Sequence, residues 1–140
     1  MIIGIDHGYG FTKTSNSIFA SGVAKFKEQP PVTANIVHYG GMYYQVGVAP
    51  DGLTTDKTAN EDSYILTLAA IAEELKRCNI VSAHIVLAVG IPLTRYGAEK
   101  EDLIHYLNKN ETVSFGYEDK LYEIKIDPQI YVYPQGYAAI

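Results

Sequence analysis

Cysteine is almost missing from this 140-residue sequence, and basic runs and long apolar runs are missing altogether. The single Cys78 excludes an internal disulfide. With no Lys/Arg-rich run and a formal charge of −5, the chain has no basic field, and direct binding to a nucleic-acid backbone is not expected. No apolar stretch approaches the length that spans a bilayer, and the N-terminus lacks the basic region and apolar core of a signal peptide. The expectation is a cytoplasmic protein that makes no membrane contact. His84 and His105 have no second histidine or cysteine at ligand spacing, which argues against a zinc site. Neither the G-x-x-x-x-G-K-S/T spacing of a P-loop nor the G-x-G-x-x-G of a dinucleotide fold occurs. What is present, 47% hydrophobic and 19% charged residues, describes an ordinary globular domain, or one part of a larger one.

The most informative stretch is Ile5-Asp6-His7-Gly8-Tyr9-Gly10-Phe11-Thr12-Lys13. A short apolar strand delivers a carboxylate into a turn with two glycines, and the next strand carries a lysine. Glycines leave no side chain between backbone N–H groups and an anion, Asp6 suits a hydrated Mg²⁺, and Lys13 supplies a point charge for phosphate. The same residues also describe a plain hairpin between two apolar strands.

Further along, Ser17 to Ala24 reads as a bent continuation of this hairpin, stopped by Pro30-Pro31. Val32–Tyr39 and Met42–Val48 flank Gly40-Gly41, a strong hairpin signal, and Tyr39, Tyr43 and Tyr44 are expected to pack rather than to bind a ligand. Ala49 to Gly52 reads as a turn. Thr58 to Glu61 has the form of a capping box, opening a helix with Tyr64, Ile65, Leu68, Ala72 and Leu75 inward, Glu73, Glu74, Lys76 and Arg77 towards solvent, and Asn79 at its end. His84 to Ile91 suits a central strand, reached from that helix by a parallel crossover. Thr94 is expected to cap a second helix ending at Asn108. Thr112–Phe115 and Leu121–Ile126 then form a hairpin around Gly116 to Lys120, and Ile130 to Tyr133 forms a last strand. The chain turns at Pro134-Gln135-Gly136 and runs to Ile140 in what reads as the start of a helix, with no stop signal, as in a fragment. Gln135 is either a polar turn residue or a site residue.

The opening motif resembles the first phosphate loop of the actin and sugar-kinase superfamily, most closely the bacterial actin-like ATPases of plasmid segregation, the ParM/StbA type. Val89-Gly90-Ile91-Pro92-Leu93 and Pro134-Gln135-Gly136 resemble later segments of the same family. The resemblance implies an α/β, ribonuclease H-like first domain: a mixed sheet flanked by helices, with a small β-rich insertion. Residues 1–140 would be the N-terminal half, with a core of 1–30 and 53–140 and an insertion at about 31–52. It implies ATP and Mg²⁺ as cofactors, Asp6 beside the metal through water, phosphate contacts from Gly8, Tyr9, Gly10 and Lys13, and an attacking water held by Gln135. Many members carry Ser or Thr where this chain has Tyr9, which leaves the backbone contacts but not a hydroxyl contact there. The implied function is ATP-driven filament formation in plasmid segregation, with an adaptor protein making the DNA contact and the half-length chain inactive alone. A sugar-kinase or chaperone-type ATPase, or a non-enzymatic interaction module, are the alternatives.

Overall fold

The computed structural model describes residues 1–8, 10–48 and 56–134. The described elements run β1 (Ile2–His7), β2 (Phe11–Lys13), β3 (Ile18–Ala20), β4 (Gly22–Phe26), β5 (Ile36–Tyr39), β6 (Met42–Val48), α1 (Asp56–Arg77), β7 (Ser82–Ile91), α2 (Leu93–Leu107), β8 (Thr112–Tyr117), β9 (Lys120–Ile126) and β10 (Tyr131–Pro134). All ten described strands share one mixed sheet in the order β3-β2-β1-β7-β9-β8-β5-β6-β4, with β10 also paired to β7. The turn expected at Ala49 to Gly52 and the helix start expected after Pro134 lie outside the described residues.

The sheet is built around β7, whose apolar, β-branched sequence fits a strand hydrogen-bonded on both edges. Val86 to Gly90 pair in parallel with Ile2 to Asp6 of β1, Ala88 to Ile91 with β10, and Ser82 to Ile85 with β9. From β1 through α1 to β7, and from β7 through α2 to β10, the chain advances in one direction across the sheet. Right-handed crossovers therefore place both helices on one face. They do lie together: the rings of Tyr64 in α1 and Tyr106 in α2 meet edge to face at 5.8 Å, and the Tyr96 hydroxyl donates to the Val132 carbonyl. Alternation sends Ile3, Ile5, Ile85, Leu87, Val89 and Val132 under the helices, while Ile2, Phe11, Ile18 and Tyr131 stay exposed.

In α1, every residue from Tyr64 to Ala72 is buried, more than the single inward stripe expected from the sequence. Each large apolar side chain buried this way contributes roughly 1.5–3 kcal/mol. The solvent face is correspondingly short. Glu73 and Glu74, expected in solvent, are half-buried, and Glu74 accepts a hydrogen bond from Asn16 Nδ2 at 2.9 Å. Burial opposes ionisation of Glu74, but bonds from Thr14 and Asn16 outweigh it and hold its carboxyl below the usual range.

Both expected helix caps are displaced. α1 begins at Asp56, so Thr58 lies inside it, and Glu61 turns away to accept from the Tyr44 hydroxyl (2.9 Å) and Lys25 (3.2 Å). In α2 the capping position falls on Pro92, with no side-chain cap, and Thr94 lies within the helix. The C-terminus of α1 agrees with expectation. Asn79 adopts φ 58°, and the N–H groups of Asn79 and Ile80 close on the carbonyls of Lys76 and Leu75.

The tight turns follow residue chemistry. Gly40 and Gly41, at φ 59° and 80°, make the expected two-residue hairpin, but β5 begins at Ile36, after a turn through the left-handed Asn35. The β8–β9 connection is also only two residues, Glu118 and Asp119 at φ 51° and 68°, shorter than the five expected. That geometry costs roughly 1 kcal/mol or more per non-glycine residue. It is offset at Glu118, whose carboxylate accepts from Lys76 (2.8 Å) and from the Asn35 N–H (3.0 Å).

Candidate functional site

The β1–β2 turn is positioned by its register. Asp6 stands opposite Lys13, and His7 opposite Thr12. Directly opposed residues of an antiparallel pair share a face, so the two charged residues project to one side of the sheet and the other two to the helix side. His7 and Thr12 are buried, Asp6 is half-buried and Lys13 is exposed. The Gly8 N–H donates to the Phe11 carbonyl at 3.0 Å and closes the turn.

On the helix side, His7 anchors the turn to α1. His7 Nε2 lies 3.0 Å from Thr67 Oγ1, and the Thr67 hydroxyl donates to the Ser63 carbonyl at 2.7 Å. With its one hydrogen committed, Thr67 accepts, which assigns the proton to Nε2 of His7. The sequence analysis gave the His7 side chain no role. The period-two burial of Ile3, Ile5 and His7 was the available signal for its side chain. Ser21 was also missed: it lies between β3 and β4, its N–H donates to the Gly10 carbonyl and its hydroxyl to the Gly8 carbonyl, each at 3.0 Å.

A Cβ added to Gly10 would meet nothing within 4 Å, whereas one at Gly116 would come 3.2 Å from the Cβ of His38. Packing within the described residues thus explains the glycine at 116 and not the one at 10. Open space beside the backbone is what a closely approaching anion requires. The donor set also suits a metal-bound phosphate, with one hard oxygen ligand, Asp6, and one cation, Lys13, on the same face.

Tyr9 and Gln135 lie outside the described residues. The strand leading to Gln135 is nevertheless placed. Asp6 pairs with Gly90, and Gly90 with Tyr133, so these three residues form one row across β1, β7 and β10. Two interstrand steps separate Asp6 from Tyr133 by roughly 10 Å. Pro134, the last described residue, ends β10 at the same rim of the sheet as the β1–β2 turn.

Other candidates carry less chemistry. A groove of about 230 Å³ lies at the far half of the sheet, where Val32, Ile36 and Leu121 surround His38, stacked on Tyr43 at 4.1 Å. Tyr44 is buried, and Tyr39 packs against Tyr64. All three tyrosines thus pack as expected. His84 Nε2 pairs with Asp127 at 3.0 Å, near the opposite end of β7. Among the described residues no three His, Cys, Asp or Glu side chains gather as metal ligands, and no helix is long and apolar enough to cross a membrane.

The family of actin-like protein N-terminal domains matches residues 4–137. The chain belongs to this family. Solved structures share the fold. The filament structure of AlfA from a B. subtilis plasmid has TM-score 0.71 and 18% identity, covering 96% of this chain and 56% of AlfA. An AlfA filament bound to AMPPNP has TM-score 0.67 and 16% identity over 97% and 55%. A non-polymerisable quadruple mutant of pCBH ParM has TM-score 0.68 and 20% identity over 96% and 46%. The actin-like domain thus spans about half the length of these proteins. Comparison with curated proteins gives no match. The ribonuclease H-like, actin-like first domain expected from the sequence is the fold observed, with a mixed sheet and both described helices on one face.

Proposed function

We propose that this domain is the N-terminal half of a nucleotide-dependent, filament-forming actin-like ATPase that acts in plasmid segregation, and that its β1–β2 turn holds the nucleotide's phosphates. The observation that carries the reading is the row Asp6-Gly90-Tyr133. It brings the carboxylate strand and the strand leading to Gln135 to one rim, with Lys13 directly across from Asp6. Support also comes from the AlfA filament bound to AMPPNP, which has the same fold.

In this reading a bound Mg²⁺ would supply charge neutralisation to the phosphoryl group of ATP, and catalysis is mostly positioning. Asp6 would hold that Mg²⁺ through water. Tyr9 and Gly10 offer backbone N–H groups to phosphate oxygens, Gly8, whose own N–H is committed to the Phe11 carbonyl, leaves the backbone bare for their approach, and Lys13 adds a point charge. Gln135 accepts a hydrogen bond from the attacking water and orients it. The core comprises 1–30 and 53–140, and the stretch at about 31–52, which supplies β5 and β6, is the small β-rich insertion. Filaments form between copies of the full-length protein, and an adaptor makes the contact to plasmid DNA.

Phosphate release by the full-length protein tests this. Asp6→Ala should abolish it, and an unchanged rate would remove Asp6 from the site. Residues 1–140 alone present half of a cleft, so isothermal titration with MgATP should show no micromolar binding. Finding such binding would contradict the two-part site.

A further inference from the structure

We infer that Ser21 is a positioning residue for the phosphate turn, clasping the carbonyls of Gly8 and Gly10 so that their oxygens are turned away from a bound phosphate. The inference rests on the reading of the β1–β2 turn given above and adds to it a residue outside the loop motif.

A short turn carries as many carbonyl oxygens as N–H groups, and an anion site works only if the oxygens point elsewhere. Two of them are committed here, both to Ser21. Its N–H donates to the Gly10 carbonyl and its hydroxyl to the Gly8 carbonyl, each at 3.0 Å. In a trans peptide the C=O and N–H point in opposite directions. Fixing the Gly10 carbonyl on Ser21 therefore aims the Phe11 N–H, which belongs to the same peptide group, away from Ser21.

The hydroxyl is itself held. Ser21 Oγ lies 3.0 Å from Thr12 Oγ1, and because its only hydrogen goes to Gly8, Thr12 must be the donor between them. Thr12 is fully buried opposite His7. A relay thus runs from the interior through Thr12 and Ser21 to Gly8. The position of Ser21 explains how it reaches both carbonyls. It lies between β3, which pairs with β2, and β4, which leaves to pair with β6. Its N–H bond to Gly10 continues the β2–β3 register one pair past Phe11 and Ala20, where β3 ends.

The test uses the full-length protein and MgATP, with Asp6→Ala as the control for the phosphate site itself. Ser21→Ala should raise the KM for MgATP about tenfold with a smaller change in kcat, as expected for losing one part-buried hydrogen bond that orders the binding turn. Ser21→Thr, which keeps the hydroxyl, should recover most of that loss, and a purely structural role would instead track the thermal midpoint. Should Ser21→Ala fail to fold, Thr12→Val breaks the relay with a near-isosteric change and should raise KM about threefold. A wild-type KM in Ser21→Ala, or in Thr12→Val where it stands in, alongside loss of activity in Asp6→Ala, overturns the role of Ser21 and leaves the phosphate turn standing. Unchanged activity in Asp6→Ala overturns both.

Discussion

Two turns of this sheet carry paired glycines, and glycine does different work in each. At Gly40-Gly41 both residues have left-handed φ, so the backbone itself demands them. At Gly8 and Gly10 the carbonyls are clasped by Ser21, and a side chain at Gly10 would meet nothing in the described chain. A glycine accounted for by φ reports on the fold. One that the chain's own packing does not account for points outward, to what the turn approaches.

That contrast can be broken most sharply at Gly10. Gly10→Val in the full-length protein should leave the thermal midpoint within a few degrees of wild type yet weaken MgATP binding at least tenfold; a midpoint collapse, or intact binding, would erase the difference between the two turns. His7→Ala asks whether the first turn depends on its anchor. It should cost roughly 1–3 kcal/mol in denaturant unfolding, because Thr67 loses its buried partner. Gly41→Ala should cost roughly 1–2 kcal/mol and leave MgATP binding unchanged. Asp119→Gly carries the comparison to a turn without glycine and should stabilise by up to roughly 1 kcal/mol, since it relieves a left-handed residue.

The smallest effect is electrostatic, where α1 meets the β-rich half. Burial, and then the neighbouring Glu61 carboxylate, push Asp62 up to about 6. Its ionised form is disfavoured in the folded state, so its contribution to stability is complete below its unfolded pKa of about 4 and is lost as pH rises through about 6. Glu61, held low first by the Tyr44 hydroxyl and then by Lys25 despite burial, acts in the opposite sense and loses its contribution on acidification. Melting Asp62→Asn beside wild type should show a smaller fall in midpoint between about pH 4 and about pH 6.

Much of this architecture was legible because local chemistry and tertiary fold agree. The Gly40-Gly41 hairpin, the apolar run of β7, its parallel crossover and the end of α1 at Asn79 each follow from short-range signals. The D-x-G-x-G-x-x-K spacing also anticipated Asp6 and Lys13 on opposed strands of one hairpin. The errors come from side chains recruited over long sequence distances. Glu61 serves Tyr44 and Lys25 instead of a cap, and Glu118 tolerates a left-handed turn because Lys76 and Asn35 hold it. Alternation along β1 turns His7 inward but cannot name Thr67 as its partner, and no local pattern puts Ser21 beside Gly8 and Gly10. Tyr9 and Gln135 lie outside the described residues, and their roles rest on the family resemblance.

The length of β7 has a mechanical consequence. One uninterrupted ten-residue strand bonds to β9 through its first part and to β1 and β10 through the rest, so it acts as a splint between the rim that carries Asp6 and the β-rich half. Twisting one half against the other would tear its ladder. A force applied at either end of this domain is therefore passed on to the other, and the parts free to give way are the connections that splint does not cross.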